Sequence, residues 1–307
     1  MNKVAKQLYG SMFFSLRDYP LAVVPVIGDR DEQFGAGNVA VKYNFTFTPH
    51  CHDFSELVII TSGYGTQNIA GVDYQFSAGD VFLLQGNTTH YFTTSKKLKL
   101  FNILFNSDRL VFPHAHFRKL HGYNVLFRIE PQMRNARNIG TQLHLTSEQL
   151  AVAEKLIQKL QQELHAQTAG FEAVATALLI ELIAFVCRCY EYNPEQDHAV
   201  IPQVSLVLTQ LENQYQEDWT LPQLARLAHT SERHLSRLFH KVMGTSPIDY
   251  LLQLRLRHAA LELKQKTLSV SEIAEQCGFH DSNYFSKKFK ERYQFSPLQY
   301  RKRYFLS

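Results

Sequence analysis

The stretch LARLAHTSERHLSRLFHKVMGTSPIDY, residues 224–250, returns in a second version as IAEQCGFHDSNYFSKKFKERYQFSPLQY, residues 273–300. Leu224-Ala225 and Ile273-Ala274 stand 49 residues apart, whereas Ser231 and Asp281, Pro247 and Pro297, and Tyr250 and Tyr300 stand 50 apart. One residue is therefore inserted in the second version, expected at Gly278-Phe279. Each version predicts a short helix (Leu221 to Ala228; Val270 to Cys277), a tight turn, and a second helix. Ser231 or Asp281 is the N-cap of that helix, its side-chain oxygen meeting free backbone N–H groups. Two related helical units in tandem organise the last third of the chain.

Helix, short turn, helix is the plan in which the second helix can enter a major groove. In the first unit Leu235, Leu238 and Phe239 form the inward stripe. Arg233, Ser236 and Arg237 lie on the opposite face, the two arginines one turn apart. In the second unit Phe285 and Phe289 point inward, leaving Ser282, Asn283, Ser286 and Lys287 outward. Arginine reads guanine edges and asparagine can read adenine, while the helix N-termini suit phosphate. Charge agrees with that reading. Residues 203–307 hold 15 of the 32 Lys+Arg and 10 of the 28 Asp+Glu, a net of +5 against −1 for the residues before them. A basic segment carrying repeated readers predicts double-stranded DNA as the partner. Between the units, Ser246-Pro247 starts a helix expected to run to about Leu263, a rod of about 26 Å. Readers held on such a rod would meet adjacent major-groove segments, roughly one helical turn apart.

His234-Leu-Ser-Arg-Leu-Phe239 with Gly244-x-Ser-Pro247, and Ser282-Asn-Tyr-Phe-Ser286 with Ser296-Pro297 and Tyr300-Arg301, resemble the AraC/XylS family of bacterial transcription regulators. The resemblance covers about the last 100 residues. It implies a seven-helix DNA-binding domain that contacts RNA polymerase near promoters. It also places base-reading positions on Arg233, Ser236, Arg237, Ser282, Asn283 and Lys287. Ser231, His234, Asp281 and Ser286 complete the expected DNA-facing set. One departure is visible: where the family usually has glycine after the second reading helix, this chain has Gln294. A non-glycine residue in the left-handed cap conformation costs about 1–2 kcal/mol, so this helix end is expected to be looser or differently closed.

The chain has 307 residues, of which 45% are hydrophobic and 20% charged. That composition excludes disorder, collagen and coiled coil, and the length suits two domains. Residues 39 to 105 read as short strands: Val39–Phe45, Glu56–Ile60, Tyr74–Phe76, Val81–Leu84 and Leu98–Phe105. They are punctuated by turn signals at Gly63 and Gly65, Ala70-Gly71, Gly79-Asp80 and Gly86-Asn87. From Thr146 the period becomes helical. Thr146-x-x-Gln149 is a capping-box candidate, followed by Ala153, Leu156, Ile157, Leu160 and Leu164, with Gly170 after the end. A second helix carries Phe171, Val174, Leu178, Leu182, Phe185 and Val186 along one stripe. The expected class is therefore α+β and multidomain: an N-terminal cupin-like β-barrel with following helices (1–192), a polar linker with a proline near each end (193–202), and a C-terminal all-α tandem helix-turn-helix domain (203–307).

His50-Cys-His52-Asp-Phe-Ser-Glu56 is the most chemically suggestive run of the front part. On a strand His50, His52 and Glu56 differ by even numbers and share a face. With His90 they resemble the cupin motif His-x-His-x3-Glu plus a distant His, where such residues can hold Fe, Mn, Ni or Zn. The second cupin motif is degraded, since Gln85–His90 lacks the proline and is one residue longer. Three readings stand: a metal-free polar pocket, which is the preferred expectation, a divalent metal site, and a purely structural cluster. His52-Asp-Phe-x-Glu56-Leu-Val-Ile59 with Gly71-x-x-Tyr74-x-Phe76-x-x-Gly79-Asp80 also looks like the sensor domain of AraC-family sugar regulators of the rhamnose type. That resemblance implies a small sugar effector and helices that dimerise. The apolar stripes of residues 147–166 and 171–190 likewise suggest a homodimer, being wider than one barrel face can cover. The alternative class is a metal-dependent cupin enzyme, an isomerase or dioxygenase, with an appended DNA-binding domain. No nucleophile elbow, phosphate loop or zinc-protease motif supports other chemistry, so no catalytic residue is expected. Four cysteines, including the Cys187-x-Cys189 pair, form no disulfide framework or zinc spacing. Ala173–Cys187 is too short and too interrupted by Glu181 to span a bilayer. A cytoplasmic protein without a membrane partner follows.

Overall fold

The computed structural model describes residues 6–9, 12–14, 19–30, 38–39, 47–86, 88–133, 143–190, 200–265 and 268–305. The chain divides into two compact units, Met1–Ile201 and Pro202–Ser307. Among the described residues no helix is long and apolar enough to cross a membrane.

The first unit is built on one sheet of nine strands: β1 Lys6–Leu8, β2 Leu21–Arg30, β3 Asn38–Val39, β4 His50–His52, β5 Ser55–Ile69, β6 Val72–Ser77, β7 Asp80–Leu84, β8 His90–Phe105 and β9 Leu143–His144. The long strands β5 and β8 pair antiparallel from Ser55↔Phe105 to Ile69↔His90. On its other edge β5 takes β7 and then β6, whereas β8 takes β2 and, at His90, His50 of β4. Sharing long strands among several partners curls the sheet around an apolar interior of Val26, Val58, Ile60, Ile69, Phe76, Phe82, Leu84, Phe92, Leu98 and Leu100.

Gly63 and Gly65, read as turn residues, lie inside β5 instead. The register shifts between Ile60 and Tyr64, and Gly63 has φ +87 with the place of a Cβ only 2.4 Å from the Lys96 carbonyl oxygen. They mark an irregularity that bends the strand, as glycine often does within a strand. The expected turn at Ala70-Gly71 is present, both residues having positive φ. β2 escaped the sequence reading because Pro25 interrupts its apolar run. Pro25 lies opposite Phe101 of β8, and among the described residues β2 pairs with β3 at Gly28 and Asp29. Of the strand expected at Val39–Phe45, residues 40–46 lie outside the described set.

Between β8 and β9 the chain makes the short helices α1 His114–Phe117 and α2 His121–Tyr123, a π-helical run Asn124–Ile129, and α3 Glu130–Met133. Two longer helices follow, α4 Ser147–Ala166 and α5 Phe171–Arg188. Thr146 and Gln149 form the expected capping box on α4. The left-handed residue closing α4 is Gln167, while Gly170 opens α5. The buried stripe of α5 is Phe171, Ala175, Leu179, Leu182, Ile183, Val186 and Cys187, and Val174 is exposed. So strongly apolar a helix offers little contrast for periodicity to locate its face. Both stripes pack onto the outer face of the same sheet, in one core with Leu57, Ile59, Leu83, Ile103 and Phe105. The expectation that they lie uncovered is therefore corrected, and the argument for a dimer built on it falls away.

The second unit is helical throughout: α6 Val200–Asn213, α7 Leu221–Leu227, α8 Glu232–Met243, α9 Pro247–Gln265, α10 Val270–Gln276, α11 Ser282–Tyr293 and α12 Pro297–Phe305. α6 starts within the segment expected as linker, whose residues 193–199 lie outside the described set. The connecting α9 has 19 residues, about 28 Å at 1.5 Å per residue. Leu256, Ala259, Ala260 and Leu263 of α9 share a core with Ile273, Phe285, Phe289 and Tyr300. The extra residue of the second repeat is His280, not Gly278 or Phe279. The turn bonds His229 N to Arg226 O and Thr230 N to Ala225 O match Gly278 N to Glu275 O and Phe279 N to Ala274 O, leaving His280 without a counterpart.

Candidate functional site

In the first unit β4, β5 and β8 bring together all four residues singled out from the sequence. His50, His52, Glu56 and His90 are 6%, 1%, 5% and 3% exposed. Each imidazole is oriented by a backbone carbonyl close to it in sequence. His50 Nδ1 donates to Thr48 O at 2.8 Å, His52 Nδ1 to Phe54 O at 2.7 Å and His90 Nδ1 to Thr88 O at 2.9 Å. The Phe54 ring also stacks on His52, with centroids 4.2 Å apart.

The Nε2 atoms of His52 and His90 then converge on Glu56 Oε2, at 2.9 and 3.2 Å. An uncharged imidazole donating from Nδ1 would turn an Nε2 lone pair toward that carboxylate. Positive charge must therefore sit among the three groups, as a proton or as a cation. Burial alone would raise the Glu56 carboxyl, but the hydrogen bonds from His52 and His90 outweigh it and hold the group well below the usual carboxylate range. Burial, with the neighbouring His90, pushes His50 down to about 4. Donor atoms of His50, Glu56 and His90 lie within 4.8 Å of one another, a spacing that fits a divalent cation.

These residues border a cavity of about 30 Å³ lined by Leu8, Phe13, Val24, His50, His52, Phe54, Glu56, Asn102 and Leu104, among others. That volume holds one or two waters. A larger ligand enters only as the lining moves apart. Asn102 was missed in the sequence. Its signal was present, since Leu98, Leu100, Asn102 and Leu104 share one parity of β8 and only the asparagine is polar.

In the second unit α8 buries Leu235, Leu238, Phe239 and Val242 and exposes Arg233 and Arg237. α11 buries Phe285 and Phe289 and exposes Asn283 and Lys287, with Ser282 and Ser286 half-buried beside them. Ser231 Oγ accepts from His234 N at 3.3 Å, and Asp281 Oδ1 from Asn283 N at 2.7 Å. Both side chains thus work as helix caps. Arg237 donates to His234 Nδ1 at 3.0 Å, so these two expected DNA-facing groups are already paired on the helix surface. Lys241, two turns beyond Arg233, extends the basic stripe and was not foreseen. Gln294 adopts φ 65, ψ 3 and donates its backbone N–H to Lys290 O, as Gly244 does to His240 O at φ 69, ψ 7. Its side-chain amide also donates to Glu291 O at 3.2 Å. The expected difference in closure is absent, and the side chain supplies an extra bond.

Comparison with known proteins assigns residues 224–303 to a helix-turn-helix domain and residues 40–183 to an AraC-like ligand binding domain. The chain is 32% identical over 265 residues to the HTH-type transcriptional activator RhaR of Yersinia pestis, spanning 85% of this chain and 87% of that one. This chain belongs to the AraC-type transcription regulators. The RhaR activator of Mannheimia succiniciproducens is 26% identical over 262 residues, covering 85% and 90% of the two chains. Among solved structures, the C-terminal domain of the two-component response regulator yesN from Fusobacterium nucleatum is 43% identical, covering 31% of this chain and 94% of that one at a TM-score of 0.30. This AraC-type regulator is accordingly a DNA-binding transcription regulator, its ligand-binding domain preceding its helix-turn-helix domain.

Proposed function

We propose that this AraC-type regulator is an activator whose hold on double-stranded promoter DNA is controlled by a small sugar in the cavity beside His50, His52, Glu56 and His90. The observation that carries the reading is the repetition, on one connecting helix, of capped helices whose outward faces offer Arg233 and Arg237 and then Asn283 and Lys287. Arg233 and Arg237 contact guanine edges, Asn283 contacts adenine, and Ser236, Ser282, Ser286 and Lys287 contact bases or phosphate nearby. Ser231, His234 and Asp281 act by capping and orienting these helices. The sugar shifts the regulator between DNA-binding arrangements by no more than its difference in affinity for them. The cavity must widen to admit it, which ties occupancy to a change in the surrounding strands. The protein acts by binding and not by turnover, in the cytoplasm, where it meets RNA polymerase at the promoter. The resemblance to the rhamnose-type sugar regulators, and not the apolar stripes of α4 and α5, supports a homodimer on repeated half-sites.

The test is selection of a DNA site in vitro by the full chain, followed by titration of that site at fixed salt with and without neutral sugars. A site of two adjacent major-groove segments and a sugar-dependent affinity are expected. Sequence-independent binding, or affinity that no sugar alters, overturns the reading. Sedimentation at micromolar concentration tests the dimer, and a monomer with and without DNA removes it.

A second reading concerns cofactors. The preferred pocket is metal-free, a proton supplying the charge between the imidazoles and Glu56. The convergence of His50, Glu56 and His90 favours a divalent cation in the same role. Elemental analysis of the purified chain separates them: stoichiometric metal selects the second reading.

A further inference from the structure

On β8 the side chains of Leu98, Leu100 and Leu104 are 0%, 2% and 3% exposed. Asn102 stands among them, opposite Val24 of β2 and Val58 of β5. Its Oδ1 is sealed from water with no hydrogen-bond partner among the described residues, in the wall of the cavity that Glu56 and His50 also line. A leucine would fit the apolar series without leaving a buried acceptor unmet. An unsatisfied buried oxygen opposes folding unless something else supplies the missing donor. A second orphan lies farther along β5, where Gln67 is 0% exposed and neither its Oε1 nor its Nε2 has a partner among the described residues.

The chemistry of the cavity wall defines what could satisfy it. Glu56 is an acceptor, and so is His50 Nε2, because His50 Nδ1 donates to Thr48 O. Asn102 Oδ1 is a third acceptor. No lysine or arginine lines the cavity among the described residues. Such a wall suits a ligand that offers several O–H donors and carries no negative charge.

We propose that Asn102 is a specificity-determining residue of the effector pocket, accepting a hydroxyl hydrogen bond from a neutral polyol, in a wall that, with no lysine or arginine among its described residues and with the His52 and His90 Nε2 atoms already engaged by Glu56, offers no free cation to its acidic and phosphorylated forms. This rests on the sugar reading above. In the ligand-bound state the hydroxyl supplies the donor that Asn102 Oδ1 lacks among the described residues, so the polar residue contributes to binding at the expense of the unliganded fold.

The test uses the full chain, titrated calorimetrically with neutral aldohexoses and 6-deoxyaldohexoses, the matching aldonates, and hexose 6-phosphates. The parent is expected to bind a neutral member and to reject its charged counterparts. Asn102→Leu should weaken that binding about tenfold while its unliganded melting temperature stays level or rises. Asn102→Ser, which keeps an oxygen, should fall between. If Asn102→Leu binds as the parent does, or melts below it, the amide is structural and the proposal is overturned. Tighter binding of an aldonate or phosphate overturns the charge argument. A parent that binds no member of the panel overturns the sugar reading itself, and the inference falls with it.

Discussion

The two helix-turn-helix units share a backbone plan and differ in chemistry. Helices α7 and α8 carry Arg226, Arg233, Arg237 and Lys241 against the single anion Glu232. Helices α10 and α11 carry Lys287, Lys288, Lys290 and Arg292, but Glu272, Glu275 and Glu291, with Asp281 at the N-cap of α11, balance them. Lys288 is already paired with Glu291 at 2.8 Å. The turns differ as well. His229 takes a left-handed conformation in the first, at φ 49, where Gly278 does so in the second, at φ 83. A repeated fold therefore does not imply a repeated contribution. The first helix-turn-helix unit carries the greater net positive charge, and the second is the more constrained in its packing.

The sharpest way to break this comparison is to exchange the turn residues. A Cβ at Gly278 would lie 2.7 Å from Gln216 O and 2.9 Å from the Arg255 guanidinium. Gly278→Ala should cost about 2–4 kcal/mol of stability through backbone strain and overlap. His229→Gly should change stability by less than about 1 kcal/mol, since relief of strain is offset by added chain entropy. Chemical denaturation of both variants checks the pair, and equal effects would show the turns to be interchangeable.

Next comes DNA affinity. Arg233→Ala or Arg237→Ala should each cost about 1–3 kcal/mol at the selected site and relax preference at one or two bases. Lys287→Ala should cost about 1 kcal/mol, and a removed phosphate contact flattens the salt dependence by about one unit of log–log slope. Titrations at several salt concentrations decide this. A larger loss from Lys287 than from either arginine would reverse the ranking of the units.

The helix ends offer a smaller effect. Gln294→Gly should stabilise the second unit by about 1 kcal/mol at most, because removal of left-handed strain is partly offset by loss of the side-chain bond to Glu291 O and by added chain entropy. A melting temperature that falls would show the side-chain bond to outweigh the strain.

The smallest expected effect concerns the extra residue. His280 Nε2 lies 2.8 Å from Asp218, just before α7, and this hydrogen bond holds the Asp218 carboxyl below its ordinary value. A carboxyl lowered in the fold stabilises above the ordinary carboxylate range and loses that contribution as pH falls through the lowered value. His280→Ala should return Asp218 toward its ordinary titration, followed by NMR of the carboxyl carbon, with little change in melting at high salt because the pair is exposed.

The two halves of the molecule were unequally legible in the sequence. Ser231, Asp281, Thr146 and the inward leucines and phenylalanines act within one or two turns of their own helix, so pattern alone located them. The stripe of α5 was displaced because almost every position there is apolar. The repeat offset puts the inserted residue near Gly278-Phe279, whereas hydrogen bonds place the insertion at His280. β2 went unrecognised because Pro25 interrupts its apolar run, and its pairing with the distant β8 is a property of the whole sheet. Asn102 needed its parity along β8 weighed against the leucines around it.

By itself the sequence determined that this chain carries two capped helix-turn-helix units in a basic segment, behind a strand-rich domain with a His50, His52, Glu56 and His90 set. Those features are written in helical period, capping residues and charge, all of which act over short stretches of chain. Tertiary structure decided the rest. Pairing of β8 with β4 and β5 brings the distant His90 onto the same carboxylate oxygen that His52, four residues from Glu56, already meets. The outer face of the sheet covers the stripes of α4 and α5. The unmet oxygen of Asn102 exists only because strands far apart in sequence close over it. Burial and pairing across a curled sheet depend on which strands meet, and no local pattern encodes that.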